Sequence, residues 1–274
     1  VVEGDGRATF PAASPFGLVR ATVPVRLDTG TDVRSLEFRV DVDGASASAP
    51  TIVATLANAD LIMSTTEDFE GTIALDRGAG WRRGDDLESN NFLIEELWRS
   101  SPQTPTQTVL NGPNAQSTGH SWLTTPALTV GPGALTLRFR HRWQFESSAM
   151  ISWDGAYLEI SDDGQRTWAR VPATAMSPAY PGTISTVTST GAASTNPEAG
   201  APAWVRSSSN APAFVAQTVN LGTAYSNKTV HLRFVIATDV NGGAPGGWDV
   251  DDVELTGIVG TPFTQRVADR ARCL

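Results

Sequence analysis

Apolar and polar residues alternate in short runs along most of this chain. Val23, Val25 and Leu27 alternate before Asp28-Thr29-Gly30, and Leu36, Phe38, Val40 and Val42 alternate before Asp43-Gly44. Residues 52–56 and 61–63 continue the series. A period of two closed by a polar or Gly turn is how a half-buried antiparallel strand is written. The pattern is strongest further on. Leu135, Leu137, Phe139 and His141 share one face of a predicted strand, and Thr136, Arg138, Arg140 and Arg142 share the other. Residues 156–160 form the next, with Asp162-Asp163-Gly164 turning into 166–171 as a hairpin. Val230, Leu232, Phe234 and Ile236 make another; Val250, Val253 and Leu255 close the series, with Asp251-Asp252 breaking the alternation as a bulge would. One short helix is expected over 89–98, and a turn or two over 264–272. Residues 172–212, rich in Pro, Ser, Thr and Ala, read as a long loop of the kind that often carries function.

Composition agrees with an all-β chain: no extended run of strong helix formers stands out. A length of 274 residues suits one large β domain or two smaller ones. The net charge of −9 disfavours nucleic acid and anionic membranes as nonspecific partners. No apolar run reaches the ~20 residues needed to span a bilayer, so membrane insertion is not expected. The single cysteine, Cys273, leaves the core without internal disulfides. Val1-Val2-Glu3-Gly4-Asp5 shows neither an initiator Met nor a basic-then-apolar leader, which reads as a processed fragment.

Several segments together carry a resemblance. They are Glu67-Asp68-Phe69-Glu70-Gly71 with Gly80-Trp81, then 121–126 (SWLTTP), 153–168 (WDGAYLEISDDGQRTW), 180–184 (YPGTI), 202–205 (PAWV), and finally 247–253 (GWDVDDV). In that order they resemble the MAM-like, immune-inhibitor-A-type jelly rolls attached to secreted bacterial metallopeptidases and surface proteins. The likeness covers roughly residues 67–257 and lacks the disulfides of animal MAM domains. It implies a concanavalin-like jelly-roll sandwich that is extracellular and noncatalytic, often with structural Ca²⁺. The expected organisation is a small Ig-like β-sandwich with its lead-in over 1–66, the jelly roll over 67–260, and a tail over 261–274. Partners would be adjacent domains of a larger chain, or a protein or polysaccharide surface.

Ca²⁺ takes six to eight oxygen ligands. Asp68 and Glu70 open the predicted jelly roll, and Asp249, Asp251 and Asp252 end it. First and last strands of such sandwiches often adjoin, so these five carboxylates are the expected ligand set; the resemblance points to Glu70 and Asp252 in particular. Asp86, Glu88 and Asn90 are secondary candidates, whereas Asp154, Asp162 and Asp163 read as turn formers. Of the eight Trp residues, most should pack in the core; Trp143, Trp153 and Trp204 are the candidates for ligand contact. His141 reads as a core or rim histidine, and the three scattered His make no zinc motif. Neither a Gly-x-Ser-x-Gly elbow nor a His-Glu-x-x-His pair occurs. The alternative to a noncatalytic module is a carbohydrate-binding module or glycan-active enzyme on the same fold, with Glu146 and Glu159 as its carboxylates.

Overall fold

A computed structural model describes residues 35–41, 51–57, 59–70, 75–76, 80–88, 97–104, 106–240 and 246–268. The chain divides into two units, one of Leu61–Arg266 and one of Val1–Asp60 with Val267–Leu274. In the smaller unit, β1 (Ser35–Asp41) and β2 (Thr51–Ala57) form an antiparallel ribbon whose register sets Leu36 opposite Leu56, Phe38 opposite Ala54 and Val40 opposite Ile52. The strand expected over 23–27, residues 89–96 of the expected helix, and Cys273 lie outside the described residues. Leu97 and Trp98, the end of that expected helix, are not helical.

The larger unit is a sandwich of two antiparallel sheets. The first runs in the order β13 (Met176–Ser177), β16 (Val215–Gly222), β10 (Leu135–Gln144), β18 (Gly247–Thr256), β7 (Gln107–Gly112) and β6 (Arg99–Thr104), with β4 (Thr66–Glu67) also against β18. The second runs β14 (Gly182–Thr183), β15 (Pro202–Val205), β11 (Gly155–Ser161), β17 (Thr229–Thr238), β8 (Gly119–Thr124) and β5 (Arg82–Asp85), with β12 (Ala169–Arg170) against β11 and β9 (Leu128–Thr129) against β17. β3 (Ala59–Ser64) pairs with β19 (Phe263–Ala268), so residues 264–268 are strand where helical turns were expected. Backbone pairing with a neighbour overrides weak local propensity in so short a segment.

The alternation on β10 is obeyed: Leu135, Leu137, Phe139, His141 and Trp143 are buried while Arg138 and Arg140 are exposed. These inward residues meet Leu158, Ile160, Trp204, Phe234 and Ile236 from the facing sheet, and Trp248 from neighbouring β18, in one core. His141 is fully buried in it. The Trp248 indole N–H donates to His141 Nδ1 at 3.1 Å, which leaves the ring proton on Nε2. Burial pushes this imidazole down to about 3, so it stays neutral.

The predicted bulge is present. Arg138 stands opposite Glu254 and Arg140 opposite Asp251, so Asp252 and Val253 together face Phe139, with Asp252 at φ +48°. The long segment after β12 is more ordered than a loop: it holds a 3₁₀ turn at Ala173–Ala175 together with β13, β14 and β15. Its strands β14 and β15 extend the second sheet, and with them its outer face. There Ile184, Ala203 and Val205 pack against Tyr157, Val235 and Ala237, and β11 is buried on both sides.

Three of the connections that cross between the sheets lie together at one end of the sandwich, where β15–β16 also crosses. Register fixes this placement: Trp248 is opposite Gly112 and Gln144 opposite Gly247 in the first sheet. In the second, Gly155 is opposite Ala237 and Thr238 opposite Gly119. Hence the β7–β8, β10–β11 and β17–β18 crossovers all lie together.

Candidate metal centre

Each of the latter two crossovers carries acidic residues to one point. Glu146 follows β10, Asp154 immediately precedes β11, and Asp239 immediately follows β17. One carboxylate oxygen from each lies within 4.8 Å of those of the other two. Asp154 has 0 % of its surface exposed and Asp239 6 %. Antiparallel pairing of β11 with β17 is what joins them, and the Asp239 N–H donates to Asp154 Oδ1 at 2.9 Å. Asp154 Oδ2 and Glu146 Oε2 are buried without a hydrogen-bond partner.

Three carboxylates so close, one of them wholly buried, repel each other and lose hydration together. Their proton affinities register this. Burial pushes Asp154 up to about 7, opposed by the Asp239 N–H and the Asn114 amide and reinforced by the charges of Asp239 and Glu146. Burial pushes Asp239 up to about 6. Glu146 is raised as well, by burial and then by the charge of Asp239. A cation would remove the repulsion and occupy the unsatisfied lone pairs. The donor set is all oxygen, with no thiolate or imidazole, which matches hard ions.

The surroundings hold this geometry. Asn196, 3 % exposed, donates from Nδ2 to the carbonyls of Trp153 (2.8 Å) and Ala237 (3.0 Å), which flank Asp154 and Asp239. The Trp153 N–H donates to Glu146 O at 3.2 Å, and Val240 N–H to Thr195 Oγ1 at 3.1 Å.

The carboxylates expected to bind metal are elsewhere. β4 does lie beside β18, with Glu67 opposite Val253, so the first and last strands adjoin. Asp252 pairs with Arg140 at 3.2 Å, and Asp249 with Arg142 at 2.8 Å and with Asn111 Nδ2 at 2.7 Å. The arginine ridge of β10 is thus matched by acids across β18, Arg138 facing Glu254 at 3.7 Å in the same way. Asp68 Oδ1 accepts from the Glu70 N–H, and Glu70 Oε1 from the Thr108 N–H. Asp251 is 2 % exposed and accepts from Gln107 and from the Asp252 N–H; burial and then the Asp252 charge push it up to about 6. Among the described residues, Glu146, Asp154 and Asp239 are the group whose carboxylates converge. Asp86 contacts His120 Nδ1 at 3.0 Å, Glu88 is exposed, and Asn90 lies outside the described residues.

Trp204 is fully buried among the rings of Phe139, His141, Tyr180 and Trp248. Trp143, 7 % exposed, donates its indole N–H to Val205 O at 3.0 Å, and Trp153 is partly buried. Trp143 also borders a groove of about 470 Å³ with Arg142, Gln144, Pro212, Gly247 and Asp249, at the same end of the first sheet. Glu159 is on the outer face of β11, ion-paired with Arg233, whose guanidinium lies over the rings of Trp122 (5.0 Å) and Trp168 (4.4 Å). Asp162 pairs with Lys228 at 2.6 Å, and Asp163 accepts from Arg166 N–H and Thr167 N–H, a turn former as expected.

No protein-family model and no curated protein matches this sequence. Among solved structures, the chain is similar to the K1 cleaved adhesin domain of Lys-gingipain from Porphyromonas gingivalis W83, at 14% identity over 72% of this chain and 98% of that one, TM-score 0.39. It is also similar to a promiscuous carbohydrate-binding module of the β-sandwich superfamily, at 11% identity over 93% and 88%, TM-score 0.34. A third is the carbohydrate-binding module of Cellvibrio mixtus lichenase 5A, seen with cellotriose, at 13% identity over 65% and 96%, TM-score 0.24.

Proposed function

We propose that the larger unit is a noncatalytic extracellular binding or accessory module, in which Ca²⁺ held by Glu146, Asp154 and Asp239 locks one end of the sandwich. The observation that carries this reading is Asp154, a wholly buried carboxylate with an unpartnered Oδ2 and an oxygen within 4.8 Å of two further acids. Ca²⁺ suits the site better than Mg²⁺, because it accepts irregular oxygen cages and sheds water readily. Extracellular modules bind it with Kd values of about 10⁻⁴–10⁻³ M or tighter, within reach of the concentrations outside cells. Recognition belongs to the same end of the molecule, where the groove beside Trp143 opens and Met150, Val187 and Val240 are exposed. The ligand would be a polymer or protein surface, and the parent chain a secreted peptidase or surface protein.

Thermal unfolding with and without chelator tests the metal. At a free Ca²⁺ concentration 100 times Kd, binding stabilises the fold by about 2.7 kcal/mol. For a unit of this size that raises the midpoint by roughly 5–10 °C. A midpoint that Ca²⁺ leaves unmoved in chelator-stripped protein contradicts the reading.

A further inference from the structure

The β7–β8 crossover also reaches the acidic group, and it brings a neutral residue. Asn114 follows β7 and is 8 % exposed. Its amide lies beside the Asp154 carboxylate, yet neither Oδ1 nor Nδ2 reaches a partner with full hydrogen-bond geometry. A buried amide with both polar atoms unsatisfied is rare and costly in native folds. Its position leaves it little freedom to escape. Gly247, at φ +77°, runs so close that a Cβ there would stand 2.1 Å from Gly112 O and 2.9 Å from Asn114 N. On the other side, a Cβ on Gly112 would stand 2.5 Å from Trp98 and 2.6 Å from Ile236. The backbone that presents Asn114 is therefore packed closely on both sides.

We infer that Asn114 is a metal ligand, contributing its Oδ1 to the ion held by Glu146, Asp154 and Asp239. This inference rests on the metal reading above. Asn carbonyls are ordinary Ca²⁺ ligands. A neutral fourth oxygen raises the coordination number without adding to the repulsion among three carboxylates. The amide is nearly symmetric in shape, so turning it about Cβ–Cγ presents Oδ1 to the ion without steric penalty. The ion then touches the β7–β8 crossover as well as the β10–β11 and β17–β18 crossovers.

Ca²⁺ titration of chelator-stripped wild type, Asn114→Ala and Asn114→Asp by calorimetry, with each variant also melted in chelator, tests the assignment. A lost direct ligand weakens Ca²⁺ affinity by about tenfold or more. Asn114→Ala should therefore show that loss, while its melt in chelator shows that the variant is still folded and separates lost affinity from lost stability. Asn114→Asp should retain or exceed wild-type affinity and melt lower in chelator, because a fourth charge joins the group. An Asn114→Ala affinity within twofold of wild type overturns the assignment and leaves the three-carboxylate site standing. A wild type that binds no Ca²⁺ overturns the metal reading, and the assignment falls with it.

Discussion

Asp154 concentrates the energetics of the site in one side chain. A carboxyl held near 7 in the fold and at its ordinary 3.8 when unfolded binds protons more tightly in the native state. Its contribution is therefore unfavourable above the folded pKa and vanishes below the unfolded one. Metal-free protein should lose stability through this group as pH rises from about 4 to about 7, by roughly 4 kcal/mol at most. Asp239, Glu67 and Asp251, all raised by burial, add slopes of the same sign. His141, lowered to about 3, opposes them below pH 6.5. Bound Ca²⁺ favours the ionised acids of its site alone, so the difference between melting curves with Ca²⁺ and with chelator isolates them. That difference should widen from pH 5 to pH 8 in wild type and collapse in Asp154→Asn. An equal difference at both pH values would show that these carboxylates do not feel the ion.

At the scale of elements, the three crossovers are the parts that metal should stiffen. Amide exchange in chelator should quicken at 113–118, 146–154 and 239–240, and slow again with Ca²⁺. The turn at 223–228, between β16 and β17 at the opposite end of the second sheet from Asp239, should not respond. A uniform change along the chain would instead indicate global stabilisation without a local clamp. Strands and site differ in how legible they are in the sequence. β10, β11, β17 and β18 are long and carry apolar residues at every second position, so their existence and inward faces follow from pattern alone. The bulge is legible too, as a broken alternation at Asp251-Asp252. β13, β14 and β15 are two to four residues long and hold no full period, so they read as loop. The acidic group of Glu146, Asp154 and Asp239 was hidden for a different reason. Asp154 beside Gly155 looks like a turn former, and Asp239 is an isolated acid after a strand. Only the register of β11 against β17 sets them side by side, and register between distant segments is not written in either one. Asp249 and Asp252 of β18 proved to be partners of the arginines on β10, a cross-strand match that likewise needs register to be seen.

For the molecule as a whole, the sandwich has one end closed by short turns and one end where charge, apolar exposure and a groove are gathered. The central claim is that the acids at this end share an ion. Calorimetric titration of Ca²⁺ into chelator-stripped wild type and Asp154→Asn tests it most directly. The account predicts one saturable site per chain in wild type, with Kd at or below about 10⁻³ M, and no such site in the variant. Absence of binding to folded wild type, or an equal affinity in Asp154→Asn, would contradict it.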